Sequence, residues 1–121
     1  MDETKSKLEQ YVRQFLYEFK ALVLEKGLFV TERVKNKESL IELGLTAKQR
    51  EEIILALSTI DYNAGPIKDE YKTGQYWVFG KHVEGVEIYI KLKIAEQDGD
   101  EHAICFSFHK SEQPLSYPFK Q

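Results

Sequence analysis

The sequence predicts an α+β domain, in which a small antiparallel sheet of three or four strands carries N-terminal helices on one face. Apolar residues recur at three- and four-residue intervals over much of 1–58, and they alternate with polar residues over 75–110. The chain has 121 residues, of which 42% are hydrophobic, and this is enough to fill one core. We therefore expect a single domain over 1–121, with 1–58 mainly helical and 75–110 forming the sheet.

The helical half begins with a long amphipathic helix over 5–26. Gly27 ends this helix, because glycine readily adopts the left-handed conformation that follows a helix. Residues 28–30 are apolar and predict a short edge strand or an extended connector. A second, short helix is expected from Asn36, a favourable N-cap, to a stop at Gly44.

A third helix is predicted by residues 46–49, which match a capping box. In this motif the Thr46 oxygen accepts a hydrogen bond from the Gln49 amide, and the glutamine side chain returns to the threonine amide. The helix is expected to end near Ser58. A polar connection over 61–74 follows, and a loop of this length in a small domain is more often functional or mobile than idle.

The clearest strand is 86–94, whose residues alternate between two faces with period two. Residues 84–85, Glu-Gly, make a good two-residue turn to an antiparallel neighbour over 76–81, because glycine tolerates the positive φ that such turns require. This turn pairs Gly80 with Tyr89 and leaves space beside the tyrosine ring. The helices are expected to cover the other, apolar face.

A third strand is predicted over 102–109. A two-residue turn at 98–99 gives its apolar residues the wrong parity, so we expect a three-residue loop over 97–99 instead. Three side chains are then expected on the core face, because cross-strand neighbours share a face: Ile104, Phe106 and Phe108. Two registers satisfy this parity, and they pair Tyr89 with Ser107 or with His109.

In both registers the open face collects groups suited to cutting a phosphodiester bond without a metal. His109 is the natural proton carrier, because histidine is the side chain that titrates near neutral pH unaided. Lys91 can neutralise developing charge, and Tyr89 can donate a hydrogen bond or stack on a base. Further substrate contacts are expected from Tyr76, Lys81, Lys93, Ser107 and Lys68. On pattern alone, such a strand face is more often only a solvated surface.

Composition limits the other classes of function. The net charge is −3, so no overall basic field draws the chain onto nucleic acid, and any RNA contact must be local. The lone Cys105 cannot form an internal disulfide, and we expect no metal or cofactor, because no phosphate-binding loop or zinc spacing is present. No apolar run approaches the roughly 18 residues of a membrane span, and the N-terminus lacks a signal-peptide pattern. We therefore expect a cytoplasmic protein.

Several segments together follow the pattern of a known family. They are Leu43-Gly44-Leu45-Thr46, Leu57-Ser58, Asp61-Tyr62, Gly65-Pro66, Tyr76-Trp77-Val78-Phe79-Gly80-Lys81, Glu87-Ile88-Tyr89-Ile90-Lys91-Leu92 and Cys105-Phe106-Ser107-Phe108-His109. Through them the chain resembles, over about 40–119, the MqsR-type toxins of type II toxin-antitoxin systems, a branch of the RelE-like superfamily. The resemblance implies a RelE-like fold and an mRNA interferase, a metal-independent endoribonuclease that an antitoxin controls.

Position by position, the resemblance implies that Tyr89 is the catalytic tyrosine and that Lys91 is the lysine two residues later. His109 occupies the position of a basic lysine in better-known members. Two positions differ from the pattern: Ala64 stands where a lysine is expected, and Val78 where a catalytic glutamine is expected. Two residues elsewhere are candidates for the missing cation, namely Lys68 and Lys81.

The implied partners are mRNA, free or on the ribosome, and a cognate antitoxin, expected to be a helix-turn-helix protein; no membrane is involved. Two alternatives stay open. Ala64, Val78 and the negative net charge favour a non-catalytic RelE-like module that binds or regulates. A structural or interaction domain unrelated to RNA is the third reading.

Overall fold

Five strands form one mixed sheet in the computed structural model, which describes residues 3–120. The elements in chain order are α1 (Glu3–Lys26), β1 (Leu28–Val30), α2 (Val34–Leu43), α3 (Ala47–Leu55), a short 3-10 turn (Thr59–Asp61), β2 (Tyr62–Lys68), β3 (Gln75–Val83), β4 (Val86–Gln97) and β5 (Asp100–Lys110). The α+β prediction is confirmed, with N-terminal helices on the sheet. The ends of the predicted domain, 1–2 and 121, lie outside the described residues.

The sheet has more strands than the three or four predicted, and it is not purely antiparallel. Its order is β1-β5-β4-β3-β2, and β1 pairs with β5 in parallel. β2 occupies half of the connection predicted over 61–74, so that prediction was wrong there. The strand was missed because Asn63-Ala64-Gly65-Pro66 has the composition of a turn. Its pairing with β3 is irregular, with register shifts on both sides of Ala64.

The long helix α1 closes the core over one face of the sheet. Its buried side chains recur at helical spacing: Val12, Phe15, Leu16, Phe19 and Val23. The Phe15 ring lies 5.3 Å from Trp77 and 6.2 Å from Phe79, centroid to centroid, so the helix meets β3 through stacked aromatic rings. Burying each such side chain stabilises the fold by roughly 1.5–3 kcal/mol. The predicted helix and its stop are confirmed, with Gly27 at φ 88°.

Local signals predict one end of each of the two shorter helices correctly. The capping box at Thr46 is confirmed: the Gln49 N–H donates to Thr46 Oγ1 at 3.1 Å, and the Thr46 N–H donates to Gln49 Oε1 at 2.9 Å. However, α3 ends at Leu55 and not near Ser58. The stop at Gly44 is also confirmed. The prediction for Asn36 was wrong, because α2 begins two residues earlier and the Asn36 side chain is buried.

Both hairpin turns of the central strands contain two residues. The turn before β4 is the predicted one, with Glu84 at φ 53° and Gly85 at φ 78°, and it pairs Gly80 with Tyr89 as expected. The turn between β4 and β5 is 98–99, with φ 54° and 82°, and not the predicted loop over 97–99. A β-bulge further along β5 shifts the pairing by one residue. Beyond the bulge, the apolar residues of β4 and β5 therefore share a face without a longer loop.

The bulge consists of one extra residue, Phe106. Leu92 pairs with Cys105, yet Lys91 pairs with Ser107, so Phe106 has no partner across the ladder. The core therefore receives Ala103, Cys105 and Phe108. Among the three residues predicted for the core, Phe108 is buried there, whereas Ile104 and Phe106 lie on the open face.

Asn36 supports the bulge from α2. Its Nδ2 donates to the carbonyl oxygens of Thr31 and Phe106 at 3.0 Å and 3.1 Å, and its Oδ1 accepts from the Phe108 N–H at 2.9 Å. The bonds to Phe106 and Phe108 satisfy backbone groups of β5 beyond Cys105, the last residue of this strand that pairs with β1. A side chain predicted to cap a helix thus holds the irregular part of the sheet.

The C-terminal segment, 111–120, crosses part of the open face. The Tyr117 hydroxyl and the Leu115 N–H donate to the Glu87 carboxylate at 2.6 Å and 2.9 Å. A Cβ added to Gly80 would overlap the Tyr117 hydroxyl and approach a Leu115 methyl group to 2.7 Å. The space predicted beside Tyr89 at Gly80 is therefore filled by this segment.

Candidate functional site

Tyr89 and His109 form a pair on the open face. They lie opposite each other on β4 and β5, in the second of the two predicted registers, with ring centroids 5.4 Å apart and planes 20° from parallel. His109 Nδ1 lies 3.0 Å from the Lys110 carbonyl oxygen. Because a carbonyl oxygen only accepts, the Nδ1 of His109 carries the proton there, and Nε2 of a neutral ring is left as a base.

A cavity of about 350 Å³ adjoins this pair. It is lined by the two rings and by the start of the C-terminal segment, 111–115. Burial raises the pKa of Tyr89, while the positive charge of Arg33 opposes that rise. The phenol is therefore protonated at neutral pH and can donate a hydrogen bond or a proton.

The next row of the sheet holds Lys91 and Ser107. The Lys91 ammonium lies 4.4 Å from the centroid of the Tyr76 ring and 5.4 Å from that of Phe106, which is cation–π geometry. Ser107 is buried, and its Oγ accepts a hydrogen bond of 2.8 Å from Arg33 Nη1. The sheet thus brings together four of the predicted residues: Tyr89, Lys91, Ser107 and His109.

Arg33, the residue before α2, is a member of the site that sequence reasoning missed. Its guanidinium carbon lies 4.5 Å from the Phe106 ring centroid. The only signal in the sequence is its position, because a helix is more often preceded by Ser, Thr, Asp or Asn. We use the name basic patch for Arg33, Tyr89, Lys91, Ser107 and His109.

Two further predicted residues, Lys93 and Tyr76, belong to a buried hydrogen-bond network around Asp69. Lys93 Nζ donates to Asp69 Oδ2 at 2.5 Å, and the Tyr76 hydroxyl donates to the same oxygen at 2.9 Å. The hydrogen bond from Lys93 is the largest of several that hold the pKa of Asp69 well below its usual range. Burial, followed by Asp69, raises the pKa of Tyr76 to about 12. The polar groups of Lys93 and Tyr76 are therefore held by Asp69, beside the basic patch.

The remaining predicted lysines lie apart from the patch. Lys81 pairs with Ile88 on the helix-covered face, and its Nζ is 3.5 Å from an Asp61 carboxylate oxygen. Lys68 is exposed at the end of β2, where it pairs with Gln75. Neither lysine is brought to Tyr89 and His109.

The two positions that differ from the family pattern lie in the row of Lys91. Ala64 pairs with Val78, which is buried, and Val78 pairs with Lys91. Across the sheet this row therefore reads Ala64, Val78, Lys91, Ser107. Its β2 end is apolar, and its β5 end is bound by Arg33.

Within residues 3–120, no helix is long and apolar enough to cross a membrane. In the same part of the chain, no three His, Cys, Asp or Glu side chains stand together as a metal-binding group. Comparisons with protein-family models, curated proteins and solved structures found no match to the chain.

Proposed function

We propose that this protein is a metal-independent endoribonuclease, an mRNA interferase of the MqsR type with a RelE-like fold. One observation carries the proposal: a stacked tyrosine and histidine occupy one row of the open face, and the neighbouring row carries Lys91 and the Ser107–Arg33 pair. Proton-transfer groups and cations are thus within one diagonal step of each other on the sheet, about 8 Å. RNA cleavage by its own 2′-hydroxyl requires this combination.

In the proposed reaction the RNA supplies its own nucleophile. Nε2 of His109 accepts the proton of the 2′-hydroxyl, and the 2′-oxygen forms a bond to phosphorus. The bond from phosphorus to the 5′-oxygen breaks, and the Tyr89 hydroxyl donates a proton to that leaving oxygen. The products are a 2′,3′-cyclic phosphate and a 5′-hydroxyl end. Exchange with solvent then removes the proton gained by His109 and returns one to Tyr89, so both side chains recover their starting protonation.

Arg33 and Lys91 stabilise the additional negative charge on the phosphate oxygens. A guanidinium has five N–H donors, so Arg33 can bind Ser107 and still present donors to a phosphate. This assigns the cation missing at Ala64 to Arg33, at the opposite end of the same row. The earlier candidates, Lys68 and Lys81, are not needed.

In this proposal the protein works in the cytoplasm on mRNA, free or on the ribosome, and a helix-turn-helix antitoxin neutralises it.

A non-catalytic RelE-like module is the second candidate. Two observations favour it: Ala64 and the buried Val78 make the β2 end of the row apolar, and the net charge is −3. Neither feature attracts RNA.

Cleavage of RNA in EDTA tests the proposal. The wild-type protein is expected to cut a mixed mRNA pool, and His109→Ala and Tyr89→Phe are each expected to reduce the rate by about 10²-fold or more. His82→Ala is the matched control, since His82 is an exposed histidine outside the basic patch. Undiminished cleavage by both patch variants would remove the site assignment. A folded protein that cuts no RNA and is harmless when overexpressed would favour the binding module.

A further inference from the structure

A second cavity, of about 640 Å³, opens on the same face beside the basic patch. Its lining includes Tyr71, Lys72, Tyr76, Lys93, Ile104 and Phe106. Lys93 and Tyr89 are four residues apart on β4, so the two centres are separated by about 13 Å along the strand. A short stretch of extended single-stranded RNA can span this separation.

The floor of the cavity is apolar, and the bulge in β5 contributes Phe106 to it. Ile104 and Phe106 face outward here, although neither is a usual residue for a solvated sheet face. The Phe106 ring lies 5.2 Å from Tyr76, centroid to centroid. Aromatic and aliphatic surface on an open face is stabilised when a flat apolar ligand covers it.

The rim of the cavity is a turn, 69–74, whose backbone is tied to the sheet. Asp69 Oδ1 accepts from the N–H groups of Tyr71 and Lys72 at 2.9 Å and 3.1 Å, and Lys93 Nζ donates to the Thr73 carbonyl at 3.2 Å. The Tyr71 side chain is nevertheless 92% exposed. A fixed backbone therefore presents an aromatic ring to solvent at the edge of an apolar cavity.

The buried charges of the cavity wall, Lys93 and Asp69, form an ion pair. The Lys93 ammonium is neutralised by the Asp69 carboxylate, and both groups are almost fully buried. A phosphate group would find no uncompensated cation there, whereas a neutral planar ring would meet apolar and aromatic walls. Lys72, exposed at the rim, can contact the backbone that carries such a ring.

We propose that this cavity binds an unpaired nucleobase of the RNA strand whose scissile phosphate lies at the basic patch. The base lies on Phe106 and Ile104 and is covered by Tyr71, while Lys72 contacts a flanking phosphate. Stacking on aromatic side chains is a general way of holding single-stranded RNA. The inference rests on the proposed RNA substrate, but it does not depend on catalysis.

The test uses a short 2′-O-methyl RNA oligonucleotide, which lacks the attacking hydroxyl and stays intact. Binding should shift the amide NMR signals of Thr73, Ile104 and Phe106, and Tyr71→Ala should weaken binding by about tenfold. Tyr17→Ala is the matched control, because Tyr17 is a 74% exposed tyrosine on α1 and should bind as the wild type does. Removing one base from the oligonucleotide should cost a similar factor in the wild type and little in Tyr71→Ala.

The possible results separate the two proposals. If RNA is cut in a His109-dependent manner but Tyr71→Ala binds normally and the cavity signals do not move, the base site is wrong and the nuclease stands. If the cavity signals move and Tyr71→Ala weakens binding while no RNA is cut, the base site stands without the nuclease. An oligonucleotide that does not bind at all overturns the base site.

Discussion

Arg33 donates a hydrogen bond of 2.8 Å to the Ser107 hydroxyl, which joins the residue before α2 to the bulged part of β5. The same guanidinium lies against the Phe106 ring. Arg33 lies in the connection between β1 and α2. Its charged group is positioned by Phe106, the extra residue of the bulge, and by Ser107, which follows it.

Arg33→Gln is expected to keep the fold and to reduce RNA cleavage by about 10²–10³-fold, because the variant loses the charge that opposes the developing negative charge. Rates are compared in single-turnover assays at saturating RNA. Arg13→Gln is the control, since Arg13 is an exposed arginine on α1. Equal rates for Arg33→Gln and wild type would exclude Arg33 from the site.

Asn36→Ala is expected to lower the free energy of unfolding by about 3 kcal/mol, because it removes the bonds to Thr31, Phe106 and Phe108. Urea denaturation measures this loss. Thr46→Ala removes an exposed helix cap and should cost about 1 kcal/mol. If the two variants were equally stable, Asn36 would not support the bulge.

Stability in acid should depend on Asp69. Its pKa is lowered in the folded protein, so its contribution is present above the unfolded value of about 4 and is lost as the pH falls through the lower folded value. Asp69→Asn should therefore have a lower Tm than wild type at neutral pH, and the gap should narrow below about pH 4. A gap that is constant with pH would show that the carboxylate charge does not contribute.

Gly80→Ala is expected to displace the C-terminal segment, because the new methyl group would overlap Tyr117 and crowd Leu115. Hydrogen exchange at residues 115–119 should become faster in this variant, while exchange within β3 and β4 stays slow. Ser116→Ala changes an exposed side chain of the same segment and serves as the control. Unchanged exchange in Gly80→Ala would mean that the segment does not depend on this contact.

Sequence reasoning succeeded where the determinants are local. The capping box at Thr46 and the turn at 84–85 each depend on residues adjacent in the chain, and both are present as expected. The β4 part of the basic patch was also predicted, because period-two alternation places Tyr89 and Lys91 on one face of the strand.

The remainder depends on contacts that are distant in sequence. The parity argument assumes an unbroken strand, so it attributes the register shift at Phe106 to a longer turn at 97–99. The longer turn places Ile104 on the core face, whereas it lies on the open face. Arg33 is not distinguishable from other surface arginines until β5 is beside it. Asn36 is a residue type that favours helix caps, but its place is determined by its hydrogen bonds to the β5 backbone at Phe106 and Phe108, beyond the end of β1.

The bulge also bears on how such a site could evolve. Cys105 and Ser107 face opposite sides, as neighbours do in an uninterrupted strand, so removing Phe106 would leave every other side chain of β5 on its present face. Loss of Phe106 would remove one of the two apolar side chains of the cavity floor and the stacking partner of Arg33, while Ile104 would keep its face and Tyr89 would still lie opposite His109. A single in-frame insertion or deletion can therefore change the apolar cavity without separating Tyr89 from His109.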